Sequence, residues 1–218
     1  MKILKILLAD DHSLMRRGLR SILEAQPGWQ VCAEAHTGRE AVALAMQLRP
    51  DVVVLDVCMP ELNGIEATRQ IRKASPRTEV LILSVHESDH LVREVIEAGA
   101  RGYLLKSDSD RELVAAIDSL ARHKPFFTGR ATEMLLGGGI SDSGMASQDR
   151  EAGQRLTARE REIVQLLAEG KTSKEVASVL NISTKTAETH RAHIMRKLEF
   201  HSVGEIVRYA VRNQIIDL

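Results

Sequence analysis

The chain has 218 residues, enough for one large domain or two small ones. It is 44% hydrophobic and 28% charged, with 30 Lys+Arg against 30 Asp+Glu, and no run approaches the ~18 apolar residues of a membrane span. Cys32 and Cys58 suggest neither a disulfide framework nor a zinc site, so a reduced, cytoplasmic setting is the simplest reading.

The start, MKILKILLADD, has no long apolar region or small-residue cleavage site and reads as a first strand, ILKILLA (3–9). A helix is expected over Ser13–Gln26, with Leu14, Leu19, Ile22 and Leu23 at helical spacing. Strands at 29–35, 51–56, 79–84 and 102–106 alternate with helices at 41–48, 65–73, 91–99 and 112–120, Gly99 closing the third of these helices. DVVVLD and EVLILS are apolar on both faces, as buried parallel strands are. This alternation predicts a doubly wound, five-stranded parallel sheet of the flavodoxin-like α/β class over 1–122. Residues 123–154 read as a linker, with a short helix at 128–136 followed by the Gly/Ser-rich GGGISDSGMASQDREAGQ. The strands then vanish. Four helices are expected in 155–218, at Ala158–Glu169, Ser173–Leu180, Thr184–Leu198 and Val203–Arg212, spaced as in a helix-turn-helix and stopped by Gly170 and Asn181 after the first two.

Sites in parallel α/β sheets form at the carboxyl ends of the strands. Here those ends carry Asp10 and Asp11, Asp56, Ser84 and Lys106. Singly, each has an ordinary explanation as a helix cap, a turn residue or a solvated lysine. Together they place three carboxylates, a hydroxyl and an ammonium on one rim. One lysine cannot neutralise three carboxylates, whereas Mg²⁺ prefers just such oxygens. A carboxylate can attack phosphorus to form an acyl phosphate, and phosphoryl transfer asks the protein mainly for positioning and neutralised charge. Asp56 is then the nucleophile. Asp11 holds Mg²⁺ directly, Asp10 through water, and the backbone carbonyl of Cys58 is a further ligand. Lys106 and Ser84 contact phosphate oxygens. His12 and His86 lie near the rim, either as exposed loop histidines or tuning the chemistry. A dehalogenase-like phosphatase would need a second acid at position 58, and a dinucleotide site a glycine-rich turn where Asp10-Asp11-His12-Ser13 stands.

The stretches LLADDH, VVVLDVCMP with Gly64 beyond it, LILSVH and GYLLKS resemble the receiver domain of two-component response regulators. The resemblance implies that Asp56 accepts a phosphoryl group from a sensor histidine kinase, and that the family's acidic pair, hydroxyl and lysine are Asp10, Asp11, Ser84 and Lys106. It further implies that Tyr103 is the aromatic switch residue, turning inward as Ser84 moves to the phosphate, with no catalysis beyond slow self-dephosphorylation.

The stretch LTAREREIVQLLAEGKTSKEVASVLNISTKTAETHRAHIMRKL (156–198) resembles a LuxR-type helix-turn-helix, and with a receiver before it the chain resembles the NarL/FixJ subfamily. A wheel of Thr184–Leu198 supports this independently. Ala187, Ile194 and Leu198 form one arc, expected to face Ile163, Leu166, Val176 and Leu180. Lys185, Thr189, Ala192 and Arg196 form the opposite stripe, flanked by Glu188 and His193, as a helix in a DNA major groove requires. Thr184, Thr186, His190, Arg191 and Lys197 lie where phosphates could be reached. Glu188 either accepts from cytosine N4 or repels phosphate. The few cations imply weak binding by one copy and a homodimer on inverted or tandem half-sites, with Val203, Ile206, Val207, Ala210 and Val211 as a candidate interface. The expected function is a phosphorylation-controlled, DNA-binding transcription factor. The alternative is a DNA-binding factor whose acidic site is vestigial.

Overall fold

The computed structural model describes residues 3–85, 88–129, 131–133 and 156–217. The Gly/Ser-rich linker, the end of the expected 128–136 helix and His86 lie outside the described residues; 131–133 are helical. The chain divides into two compact units, Met1–Gly137 and Gly138–Leu218.

The first unit alternates β1 (Leu4–Ala9), α1 (Ser13–Glu24), β2 (Trp29–Ala35), α2 (Gly38–Leu48), β3 (Val52–Asp56), α3 (Gly64–Ala74), β4 (Glu79–Ser84), α4 (Asp89–Glu97), β5 (Gly102–Leu105), a 3₁₀ turn (Lys106–Asp108), α5 (Ser109–Ala121) and β6 (Phe126–Phe127). The parallel sheet runs β2-β1-β3-β4-β5-β6. It therefore has six strands where periodicity predicts five. β6 is two residues long, too short to carry a pattern, and exists through pairing of Phe126 and Phe127 with Gly102 and Tyr103. Lys106 likewise opens the 3₁₀ turn instead of ending β5.

Side chains of successive strand residues point to opposite faces, and the core divides accordingly. Leu7, Val53, Leu55, Val80 and Ile82 pack with residues of α2, α3 and α4. Ile6, Leu8, Val54, Leu81 and Leu83 pack with Leu19 and Leu23 of α1 and Leu113 and Ile117 of α5. The four apolar residues of β3, Val52 to Leu55, are fully buried, each contributing about 1.5–3 kcal/mol. That anchorage carries the strand's last residue, Asp56, inside with it. On α1 the expected apolar face is corrected: Leu14 is 79% exposed and Arg16 is buried.

The turn after β3 is pinned from both sides. Val57, Met59 and Leu62 plug into the core, and Asn63 caps α3 by accepting from the Glu66 N–H at 2.9 Å. Gly64 donates its N–H to the Val57 carbonyl at 2.8 Å. A Cβ on Gly64 would stand 2.0 Å from the Asp56 carbonyl oxygen. No side chain fits there without moving the backbone that carries Asp56.

The second unit holds four helices: α6 (Ala158–Ala168), α7 (Ser173–Leu180), α8 (Thr184–Lys197) and α9 (Val203–Arg212). Capping boxes, Thr157 with Glu160 and Thr172 with Glu175, start α6 and α7. Gly170 and Asn181 take left-handed backbone and stop them. Ser183 then caps α8 across a three-residue turn from Asn181. Ile163, Leu166, Val176, Leu180, Ala187 and Ile194 share one core, with Leu198 packed against it.

Gly64→Ala is expected to lower the stability of the first unit by about 1–3 kcal/mol. Thermal unfolding should show an earlier transition for that unit and an unchanged one for the helical unit.

Candidate functional site

The strand order reverses direction at β1, so the crevice outside the ends of β1 and β3 is the topological switch point. Asp10 follows β1, Asp56 ends β3, Ser84 ends β4 and Lys106 follows β5, and all four are buried or nearly so. Lys106 Nζ lies 2.9 Å from Asp10 Oδ2 and 2.9 Å from Asp56 Oδ2. Asp10 Oδ2 is buried, and beyond this ion pair it receives no hydrogen bond. The ligand atoms of Asp10, Asp11, His12 and Asp56 all fall within 4.8 Å of one another. Cys58 sits half-buried in the pinned turn two residues after Asp56.

Burial dominates the electrostatics. Asp56 is 4% exposed, and loss of water pushes its carboxyl up to about 6; Lys106 pulls against this, and the charges of Asp10 and Asp11 add to it. Burial also works against the Lys106 ammonium, but Asp56 and Asp10 outweigh that and hold it above the ordinary lysine value. By its own residues the rim is thus short of positive charge.

Arg16, which periodicity does not single out, and His12, expected near the rim, shape the site. Arg16 donates to the Asp10 carbonyl at 2.7 Å and pairs with Glu34 of β2 at 3.1 Å, fixing the β1–α1 turn from beneath. Its charge keeps it out of the apolar spacing of α1. His12 places Nδ1 2.7 Å from Asp11 Oδ1, and its backbone N–H donates to Asp10 Oδ1 at 2.8 Å. Among the described residues Tyr103 is the bulkiest fully buried side chain, and it belongs to the face packed by α4.

In the second unit Thr184, Lys185, Thr186, Glu188, Thr189, Ala192 and Arg196 are exposed, while His190 and Arg191 are half-buried. The expected groove stripe is therefore open along α8. Lys197 is turned elsewhere: its Nζ is 2.9 Å from Glu160 Oε2. Glu160 also meets His193 Nδ1 at 2.9 Å. Burial would raise the Glu160 carboxyl, but Lys197 and the Thr157 cap overcome it and hold it at about 2. On α9, Ile206 and Ala210 are buried in their own unit and Val203 is exposed.

A raised Asp56 pKa has a sign for stability. The group's contribution is complete below its unfolded value of 3.8 and is lost as pH rises through about 6. Without divalent cation, Asp56→Asn is expected to stabilise the first unit by up to about 3 kcal/mol near pH 7.5 and hardly at all near pH 4. Thermal melts at the two pH values check this.

Residues 6–118 match the model of the response regulator receiver domain, and residues 154–210 match that of bacterial regulatory proteins of the luxR family. The chain is 38% identical over 214 residues to the transcriptional regulatory protein LiaR of Bacillus subtilis, covering 98% of this chain and all of LiaR. It is 35% identical over 216 residues to the oxygen regulatory protein NreC of Staphylococcus carnosus, with 98% and 100% covered. Among solved structures, the response regulator ChrA of a heme-sensing two-component system covers 99% of this chain and 100% of its own at 31% identity and a TM-score of 0.52. A LuxR-family response regulator from Aurantimonas sp. SI85-9A1 covers 64% of this chain and 100% of its own, with 34% identity and a TM-score of 0.60. With a receiver ending in an acidic rim and a LuxR-type helix-turn-helix behind it, the chain belongs to the two-component response regulators of the NarL/FixJ subfamily, DNA-binding regulators of transcription.

Proposed function

We propose that Asp56 accepts a phosphoryl group from a sensor histidine kinase, and that this controls DNA binding by the C-terminal helices. The observation that carries the proposal is the shared Lys106: one ammonium 2.9 Å from each of two buried carboxylates. The set fits Mg²⁺, a hard cation that takes carboxylate oxygens. Asp10, Asp11 and Asp56 would hold it, with the Cys58 carbonyl. When bound, it supplies positive charge for the transferring phosphoryl oxygens.

This chain's residues do the remainder. An Asp56 carboxylate oxygen attacks phosphorus, an O–P bond forms, the P–N bond of the donor phosphohistidine breaks, and the imidazole leaves with the electron pair. Lys106 pairs with one new phosphate oxygen, and the Ser84 hydroxyl donates to another. Tyr103 and the face of α4, β5 and α5 form the element whose two arrangements the phosphate biases. Tyr103 is fully buried on that face, and phosphorylation acts by shifting a population between the two arrangements.

On DNA, Lys185, Glu188, Thr189, Ala192 and Arg196 face the major groove, and Thr184, Thr186, His190 and Arg191 serve the backbone. Lys197 contributes through its pair with Glu160, by holding α8 on α6. Activated copies pair on inverted or tandem half-sites. Any contact through α9 uses Val203, Val207 and Val211, because Ile206 and Ala210 are engaged in their own core.

Incubation with a small phosphodonor and Mg²⁺ is expected to add one phosphoryl group to wild type and none to Asp56→Asn, read by intact mass. Equal uptake by both excludes Asp56 and leaves a regulator that works without phosphorylation. Lys185→Ala and Arg196→Ala should each weaken promoter binding. The logarithm of affinity should fall with that of salt by roughly 0.9 per phosphate neutralised, and each variant should flatten that slope by about one contact. Salt-insensitive binding contradicts the groove arrangement.

A further inference from the structure

Asp10 is held at every one of its polar atoms. Its N–H donates to the Ala35 carbonyl, the last of β2, at 3.3 Å. Oδ1 accepts from the His12 N–H at 2.8 Å, and Oδ2 pairs with Lys106 at 2.9 Å. The carbonyl oxygen accepts from Arg16 Nη1 at 2.7 Å. The first three partners are backbone groups beside Asp10 or belong to the rim. The last is a guanidinium only 6% exposed, brought in from the first turn of α1.

A buried guanidinium is a costly way to build a scaffold. A buried ion pair such as Arg16 with Glu34 can often be replaced by apolar residues with no loss of stability. An apolar residue, however, donates no hydrogen bond. Arg16 donates in two directions, through Nη1 to the Asp10 carbonyl and through Nε to Glu34 Oε2 at 3.1 Å. Arg20 holds the other Glu34 oxygen at 2.7 Å, so the carboxylate that anchors Arg16 is itself fixed. The last two residues of β2 thus hold Asp10 from both ends: Ala35 takes its N–H, and Glu34 holds its carbonyl by way of Arg16.

That carbonyl belongs to the peptide joining Asp10 to Asp11. A peptide group is planar. Holding its oxygen therefore restrains the rotations on both sides, and with them the directions in which both acidic side chains leave the backbone. Those side chains and Asp56 bring their ligand atoms within 4.8 Å of one another. Groups that orient ligands from behind, without touching the metal, govern affinity for it. We propose that Arg16 is the positioning residue of the cation site: it orients the Asp10–Asp11 peptide and so sets the affinity for a divalent cation, touching neither the cation nor the phosphoryl group. This rests on the Mg²⁺ reading of the rim and extends it.

The probe is Mg²⁺ itself, titrated into the full-length protein by calorimetry. Arg16→Met is expected to raise the Mg²⁺ Kd by about tenfold or more. Arg16→Lys should fall between the two, because a single ammonium does not reproduce the fork that spans both acceptors. Arg16→Met combined with Glu34→Gln leaves no charge of the pair behind and should lose as much affinity as Arg16→Met. Val31→Ala truncates the core on the same strand as Glu34; it should melt earlier yet keep wild-type affinity. With saturating Mg²⁺ and a small phosphodonor, phosphoryl uptake by Arg16→Met should return to near the wild-type rate. Wild-type affinity in Arg16→Met, an equal loss in Val31→Ala, or slow uptake that excess Mg²⁺ does not restore overturns the role of Arg16. Should Arg16→Met fail to fold, Arg16→Lys carries the same test. No Mg²⁺ binding by wild type overturns the reading of the rim as a cation site.

Discussion

Two buried carboxylates leaning on one ammonium set the terms for the receiver. A parallel sheet ends its strands at one rim, and this chain puts acids on two neighbouring ends and a lysine two strands away. The apolar body of β3 draws Asp56 out of water. Desolvation then leaves the rim in need of positive charge. Such a site is held short of electrostatic balance by the hydrophobic core beneath it.

The surroundings keep that rim rigid. Arg16 clamps the Asp10 carbonyl from the α1 side. Gly64 lets α3 close against the Asp56 carbonyl, and three apolar plugs hold the turn between them. Asp56 is therefore placed by packing instead of by a flexible loop. Tyr103 is enclosed in the core face packed by α4.

The helical unit repeats the theme of one carboxylate organising several elements. Glu160 caps α6 and grips α8 through Lys197 and His193. Lys197 thereby becomes a structural cation. The exposed stripe from Lys185 to Arg196 is left free for a partner.

The sequence by itself determined the alternation of strands and helices, the change to an all-helical second part, the acidic rim and the two-sided α8. Each of these is written in local periodicity or in the residue that ends an element: Asp56 after VVVL, Asn181 after α7, Ala187 and Ile194 at helical spacing. Only tertiary structure decided the rest. β6 comes from pairing with β5, since two residues hold no pattern. Arg16 is buried and Leu14 exposed because long-range partners, the Asp10 carbonyl and Glu34, outweigh the apolar count of a helix face. Lys197 and His193 meet Glu160 across more than thirty residues of sequence, and Tyr103 is inside because a sheet face and α4 close over it. Periodicity reports which side of an element is apolar; it carries no information about which charge will find which partner once distant elements meet.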